Sequence, residues 1–464
     1  MVYPGRQALP QQQVASSIST ILPSLSRVLG IAMIAVCWSS GNASAATLEP
    51  AAVPPGASKA VTLQVAAGME APPFDVPRTL MVPPGFSIRV FARVPTPRFM
   101  ALAPNGDVLV SEPSAGTVYL LRPDGEAAPR QFTFASGLKN PHGIAFHTIG
   151  KRQYVYLSES NRIIRAPYTS GDTRIGPIQP VVEHLPDASS AGLGAYGHPL
   201  KNFALHGNKL YVSIASTCNA CIADTTSDPI RGAIYEYSED GGKRRLYARG
   251  IRNAEGLAFR PGTDELWAVV NNRDNIRYPF HQDFDGNGSD DYGRVMQRYV
   301  DGHPPDLLLR VKDGGQYGWP FCNSNPDQGL DNMPYDADAQ LNADGKRLDC
   351  SQITRATKGI AAHSAPLGMH FLQDSGLPPS YRNALVTGLH GCWNCSALNG
   401  HKIALYPLHP DGSVGDAVDM VTGWITDAAN KERWGRPVDA IPDGKQGLYI
   451  SDDMSGTIYQ LTAR

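Results

Sequence analysis

From Pro83 onward, short stretches recur in which apolar residues alternate with polar ones or run together: DVLVSE (107–112), YVYLSE (154–159), KLYVSI (209–214), ELWAVV (265–270), NALVTG (383–388) and GLYISD (447–452). They are short and rich in β-branched and aromatic residues, which marks them as strands rather than helices. Each follows another apolar run, in turn FMALAP, HGIAFH, NFALHG, GLAFRP, GMHFLQ and VDAIPD. Most precede a third, as in GTVYLLRPDG, RIIRAPY, GAIYEYSEDG, HKIALYPLHPDG and GTIYQL. Turn residues such as PNG, PDG and EDG separate them.

A unit of roughly 45 to 65 residues made only of short strands predicts an all-β protein, a β-propeller, because one small antiparallel sheet cannot bury its own faces. The six copies predict six blades. The fourth interval is about twice as long, which predicts a long loop excursion in the fourth blade over residues 275–365, rich in Asp, Asn, Gly and Pro. A β-sandwich accounts less well for the repeat.

In a propeller the first strand of every blade lines the central channel, so equivalent entry positions form a ring. With the upstream runs aligned on Ala101, Ala145, Ala204 and Ala258, and more loosely on Met369 and Asp439, counting back six residues reaches Lys139, His198, Arg252, His363 and Arg433. Counting back three reaches Arg98, His142, Lys201 and Arg436. An empty ring of Arg, Lys and His repels itself, which points to a bound anion or to several carboxylates on one ligand. Pairing with the protein's own carboxylates, such as Glu112, Glu159 and Asp452, is the alternative.

Charge and composition narrow the setting. A formal net charge of -2 without a Lys/Arg block gives no footprint for nucleic acid. Arg6 and Arg27 precede the apolar stretch VLGIAMIAVCW, and Ala43-Ser44-Ala45 forms an A-x-A cleavage site. Residues 1–45 are therefore expected to be an export signal, residues 46–78 a flexible N-terminal segment, and residues 79–464 the propeller. No later stretch has the 18 uninterrupted apolar residues of a membrane span, so a periplasmic or secreted protein is expected. In an oxidising compartment the six cysteines outside the signal are expected to pair as Cys218 with Cys221, Cys322 with Cys350 and Cys392 with Cys395; zinc or redox chemistry are the competing readings of the two C-x-x-C pairs.

The motifs YGHPLKN (196–202), GIRNAEGLAF (250–259), VVNNRDN (269–275), GGQYGWP (314–320), HGCWN (390–394) and RWGRPV (433–438) together resemble those of the glucose/sorbosone dehydrogenase family, the soluble calcium- and PQQ-dependent sugar dehydrogenases. The resemblance covers residues 82–464 and implies a six-bladed propeller carrying the cofactor PQQ, a planar quinone with three carboxylates. His198 resembles the general base that removes the substrate hydroxyl proton, and Arg252 the cation at the reacting quinone oxygen. The resemblance further implies cofactor contacts from Asn253, Lys201, Arg433, Arg436, Arg98 and Trp393. It also implies Ca²⁺ held by main-chain oxygens of Arg273 and Asp274. The partners implied are a sugar or aldehyde substrate and an external electron acceptor such as a cytochrome or a quinone. One departure stands in HGCWNCS, where Cys395 occupies the position at which relatives tend to carry a further cation.

DFDGNGSDDYG (283–293) opens like a calcium loop, D-x-D-x-N-G. Its twelfth position is Arg294 instead of Glu, so it is not an EF-hand; Asp283, Asp285, Asn287 and Asp291 are the candidate ligands. Two further functions compete with the dehydrogenase: a calcium-dependent lactonase-like hydrolase holding a channel metal on side-chain carboxylates, and a non-catalytic carbohydrate- or protein-binding propeller.

Overall fold

The structure, a computed structural model, describes residues 56–190 and 192–464; the export signal and its cleavage site lie outside the described residues. Six sheets, antiparallel except for one short parallel strand at the outer edge of the third, follow one another around a ring. The first four blades span residues 100–135, 144–182, 203–249 and 253–360, and the fifth spans 366–421. The sixth combines three strands within 437–463 with a strand from the other end of the chain, Phe86–Arg93, which pairs antiparallel with Thr457–Ala463. This pairing closes the ring by building the last blade from both ends of the propeller sequence, with Phe86–Arg93 as its outermost strand.

The innermost strands adjoin one another in sequence around the axis, from Met100–Leu102 through Ile144–Ile149, Phe203–His206, Asn253–Phe259 and Pro366–Phe371 to Pro437–Pro442 and back. They border a cavity of about 220 Å³ whose wall combines Met100, Ile144, Phe203 and Met369 with the polar Asn202 and His370. The second strand of a blade is covered on both faces by its neighbours, so Val108–Glu112, Ala384–Leu389 and Gly447–Asp452 are buried throughout. That explains their near-continuous apolar runs.

A buried serine near the end of these strands stitches the channel together. Ser111 Oγ donates to Phe99 O (3.2 Å) within its own blade. Ser158 Oγ donates to Lys201 O (2.6 Å) of the next blade, and Ser451 Oγ donates to Arg98 O (2.7 Å) across the closure. The hydroxyl thus holds the entry loop that carries a ring residue.

Two expectations are corrected. The stretch 275–365 is not one excursion, because it contains the third and fourth strands of its blade, Asp306–Arg310 and Lys358–Ile360. Around them lie two insertions: 272–305 carries a short helix, Gln297–Val300, and 311–357 carries Gly315–Gln316, which pairs parallel with the third blade, and a hairpin of Cys322–Ser324 with Tyr335–Ala337, and is closed by the Cys322–Cys350 disulfide. The described part of the N-terminal segment is packed against the propeller instead of flexible. Lys59–Thr62 pairs with Thr79–Val82. Leu63, Met69 and Phe74 are buried in the cluster that holds Trp434 and Tyr459, and the Phe74 and Trp434 rings lie 6.1 Å apart.

Candidate functional site

The entry loops of the blades bring His198, Arg252, His363, Arg98, His142 and Arg436 into one charged network at the channel mouth. His198 has Nδ1 at 2.9 Å from Ser216 O and 3.1 Å from Ser216 Oγ. A carbonyl only accepts, so Nδ1 carries the proton and Nε2 holds the lone pair. Nε2 makes no hydrogen bond among the described residues. Ser216 also donates its N–H to Arg252 O (2.9 Å), so one residue ties histidine to arginine. Burial, and then the Arg252 charge, push the His198 imidazole below its usual range.

Arg252 is buried, with Nη2 on Asp274 Oδ2 (2.8 Å), Nε on Asn219 O (3.3 Å) and Nη1 on Asn271 O (3.4 Å). Asp274 also faces His363 Nδ1 at 3.7 Å. Nearby Asp306 accepts N–H bonds from Asn272 and Ala365, and burial raises its carboxyl to about 6. On the other side of the mouth Asp453 receives Arg98 Nη1 (2.8 Å) and His390 Nε2 (2.9 Å). Glu255 meets His142 Nε2 at 3.0 Å and accepts Asn253 Nδ2 at 3.1 Å. Burial works to raise its carboxyl, yet these hydrogen bonds and the Arg98 charge hold it down at about 2.

The expected cationic ring is therefore interleaved with carboxylates, but not those the sequence suggested. Glu255, Asp274 and Asp453 compensate it at the mouth. Glu159 binds Lys139 through its backbone N–H (2.6 Å), and the Lys139 ammonium pairs with Asp187 (2.8 Å) farther out. Asp452 accepts the Arg436 backbone N–H (2.8 Å).

The other sequence candidates are spread around this centre. Lys201 is fully buried, donates to Pro199 O (2.7 Å) and lies over the Tyr196 ring; burial lowers its ammonium to about 7. Arg436 donates Nε and Nη2 to His390 O (3.0 Å) and Gly391 O (3.1 Å). Gly391 has φ +89°, and a Cβ there would strike the His401 ring, so this approach requires glycine. Arg433 sits in a groove with Trp434 and Met454, and Trp393 is exposed. Arg273 turns away from the mouth into a buried ion pair with Asp338.

All three expected disulfides are formed, Cys218–Cys221, Cys322–Cys350 and Cys392–Cys395. Cys395 thus fills its position as half of a cystine. Asp283, Asp285 and Asp291 do converge, each offering an oxygen within 4.8 Å of the others. Their oxygens also accept backbone N–H groups of Gly286, Gly288, Phe284 and Asp285, and Arg294 pairs with Asp291.

The sequence profile of the TrAA12-like family matches residues 80–464, the whole propeller. The chain belongs to that family. Among solved structures it is similar to the Trichoderma reesei Carbohydrate-Active Enzymes Family AA12 protein, at 19% identity and TM-score 0.66, covering 83% of this chain and 98% of that one. It is also similar to the holo PQQ domain of pyranose dehydrogenase from Coprinopsis cinerea, at 18% identity and TM-score 0.63, with 82% and 97% covered. An uncharacterised protein of Borreliella burgdorferi is 23% identical over 402 residues, 83% of this chain and 92% of its own length. At these identities the solved structures bear on the fold, which they share with this TrAA12-like chain.

The buried imidazoles make its stability pH-dependent. Burial pushes His390 and His401 down to about 4, and His142 and His198 also lie below the usual value near 6.5. Between pH 6.5 and 4 the unfolded chain binds more protons than the folded one, so these groups make the protein less stable as the pH drops through that range. Asp306 has the opposite sign, since its raised carboxyl stabilises the fold at low pH and loses that contribution as pH rises through about 6. Urea unfolding at pH 4.5 is expected to need less denaturant than at pH 7, with His390 and His401 each contributing on the order of 3 kcal/mol at the bottom of the window. An unchanged midpoint would contradict the burial of these rings.

Proposed function

We propose that the protein is an exported dehydrogenase, periplasmic or secreted, that uses PQQ and Ca²⁺ to oxidise a sugar, a sorbosone-like sugar aldehyde or a related polyol. Electrons then pass to an external acceptor such as a cytochrome or a quinone. The observation that carries this reading is the His198–Ser216–Arg252 arrangement at the channel mouth: a neutral imidazole with its lone pair on a free Nε2, fixed beside a buried guanidinium.

The residues present fit a polycarboxylate quinone. Arg98 Nε and Arg433 Nε are buried without a hydrogen-bond partner among the described residues, and Arg436 Nη1 makes no hydrogen bond there. When bound, PQQ supplies a carbonyl centre that accepts two electrons as a hydride. His198 Nε2 takes the substrate hydroxyl proton, which the low imidazole pKa permits at neutral pH. The Arg252 guanidinium offsets negative charge as it develops. Asn253 and Arg436 would help to hold the cofactor, and Arg98, Arg433 and Lys201 would add positive potential toward its carboxylates. The exposed Trp393 would offer an aromatic surface to a planar cofactor. The carbonyls of Arg273 and Asp274 are the hard oxygen donors that Ca²⁺ prefers.

The lactonase reading needs channel carboxylates free to converge on a metal. Glu255, Asp274 and Asp453 are each engaged by a cation or imidazole, and among the described residues the one cluster with suitably close ligand atoms is Asp283, Asp285 and Asp291, in the insertion. The test adds PQQ and Ca²⁺ to apo protein and follows dye reduction across sugars, aldehydes and polyols. Reduction dependent on both additions is expected; bound PQQ with no reduction on any substrate would refute the reading.

The loop over residues 283–291 is proposed as a second, structural calcium site. Thermal unfolding without PQQ is expected to shift upward with Ca²⁺ relative to chelator in the wild type, and much less in Asp283→Asn/Asp285→Asn. Equal shifts in both proteins would leave the loop as an acidic turn organised by its own backbone.

A further inference from the structure

We propose that Asn219, inside the Cys218–Cys221 loop, is a positioning residue that holds Arg252 and Asp274 in register with His198, and that the disulfide keeps it in place. The inference rests on the reading of His198 and Arg252 as the reacting pair.

Four hydrogen bonds converge on Asn219. Its Nδ2 donates to Asp274 O (2.8 Å), and its Oδ1 accepts the Asp274 N–H (2.9 Å). One amide side chain thus reads both main-chain groups of the residue that pairs with Arg252. Its own carbonyl accepts Arg252 Nε (3.3 Å) and Trp319 Nε1 (3.0 Å). Arg252 is therefore gripped twice, directly by the Asn219 carbonyl and indirectly through Asp274.

The same ribbon of chain also carries the base. Just before the loop, Ala215 O accepts Tyr196 OH (2.6 Å), Ser216 O accepts His198 Nδ1 (2.9 Å) and Thr217 O accepts Gly197 N–H (2.7 Å). Residues 215–219 thus touch the base with their first half and the cation with their second. Thr217 is pinned by Asp224, which is itself buried and paired with Arg231 at 2.5 Å. Beyond Cys221 the chain enters a short helix, Ile222–Thr226, in which the Asp224 N–H donates to Cys221 O (3.3 Å). A covalent link between residues three apart removes backbone freedom that the Asn219 contacts would otherwise have to offset. The second C-x-x-C loop grips the neighbouring residue of the same turn, with Asn394 Nδ2 on Asn275 Oδ1 (3.2 Å).

The measurement is the titration of His198 in the apo protein, followed by NMR of ring-labelled histidine and assigned with His198→Gln. Arg252, Glu255 and Asp274 are the charged groups that act on this imidazole, and Arg252 depresses its pKa. If Asn219 holds Arg252 close, Asn219→Ala lets the guanidinium drift and the His198 titration moves upward in pH. Cys218→Ser/Cys221→Ser is expected to do the same and gives a second route if the first variant folds poorly. In PQQ- and Ca²⁺-loaded protein, kcat is expected to fall about 10- to 100-fold, with a smaller change in KM. An unmoved titration in both variants overturns the proposal, even if turnover falls. A moved titration in a protein that never reduces dye leaves the positioning role intact and refutes the dehydrogenase reading instead.

Discussion

Replacing His198 with glutamine is expected to lower kcat by about 10² to 10⁴ while PQQ uptake changes little. Glutamine can reach Ser216 O with its amide N–H, so the tie that holds the loop survives, but it offers no basic nitrogen where Nε2 stood. The pH profile supplies the second readout. In wild type the base works when neutral, and burial together with the Arg252 charge keeps it neutral to a lower pH than an ordinary imidazole. Activity should therefore rise through a pKa below 6.5 and then level, and this acid limb should be missing from the residual rate of His198→Gln. Turnover near wild type in the loaded variant would remove His198 from the mechanism.

The blades were legible because each repeats the same physical compromise, a channel strand followed by a strand buried on both faces. The fourth blade broke the pattern for an equally physical reason. DLLLR and KGI, its outer strands, are five and three residues long and are embedded among Asp, Asn and Gly that supply no periodicity. The packing of the N-terminal segment was hidden too. Met69 and Phe74 are scattered among Pro, Gly and Ala, and the alternation of Val61, Leu63 and Val65 is too short to stand out; together they become a hydrophobic face only when folded onto Trp434 and Tyr459.

At the site, counting along the repeat found the cations and missed what holds them. The three-residue offset that gives Arg98, His142, Lys201 and Arg436 falls on Glu255 in the fourth blade, a carboxylate inside an apolar strand. Such a residue is costly to bury without partners, and His142 and Asn253 are those partners. Asp453 lies one residue beyond a strand already identified, yet its partners are 63 and 355 residues away in sequence. Asn219 carried only the signal of standing between two cysteines. The two C-x-x-C pairs formed as their spacing suggested, because so short a loop needs little else to bring its ends together, whereas Cys322 and Cys350 lie 28 residues apart and meet through the fold of their insertion.

The second large effect is expected at Arg252, and there stability and catalysis can be separated. Arg252→Ala removes the cation that faces Asp274 and leaves that carboxylate beside buried Asp306, so a loss of about 3 to 5 kcal/mol in stability is expected. The same truncation removes the charge that meets the developing oxyanion, which is worth roughly 3 to 4 kcal/mol in the barrier, and PQQ should bind more weakly. With its cationic neighbour gone, His198 should titrate at higher pH than in wild type, moving the acid limb upward. Adding Asp274→Asn removes the stranded carboxylate. The double variant should therefore recover much of the unfolding free energy but none of the turnover. Denaturant unfolding, PQQ titration and dye reduction on the two single variants and the double variant complete the cycle. Recovery of turnover along with stability would mean that Arg252 acts only by compensating Asp274. Unchanged turnover in Arg252→Ala would make it a structural residue of the channel mouth.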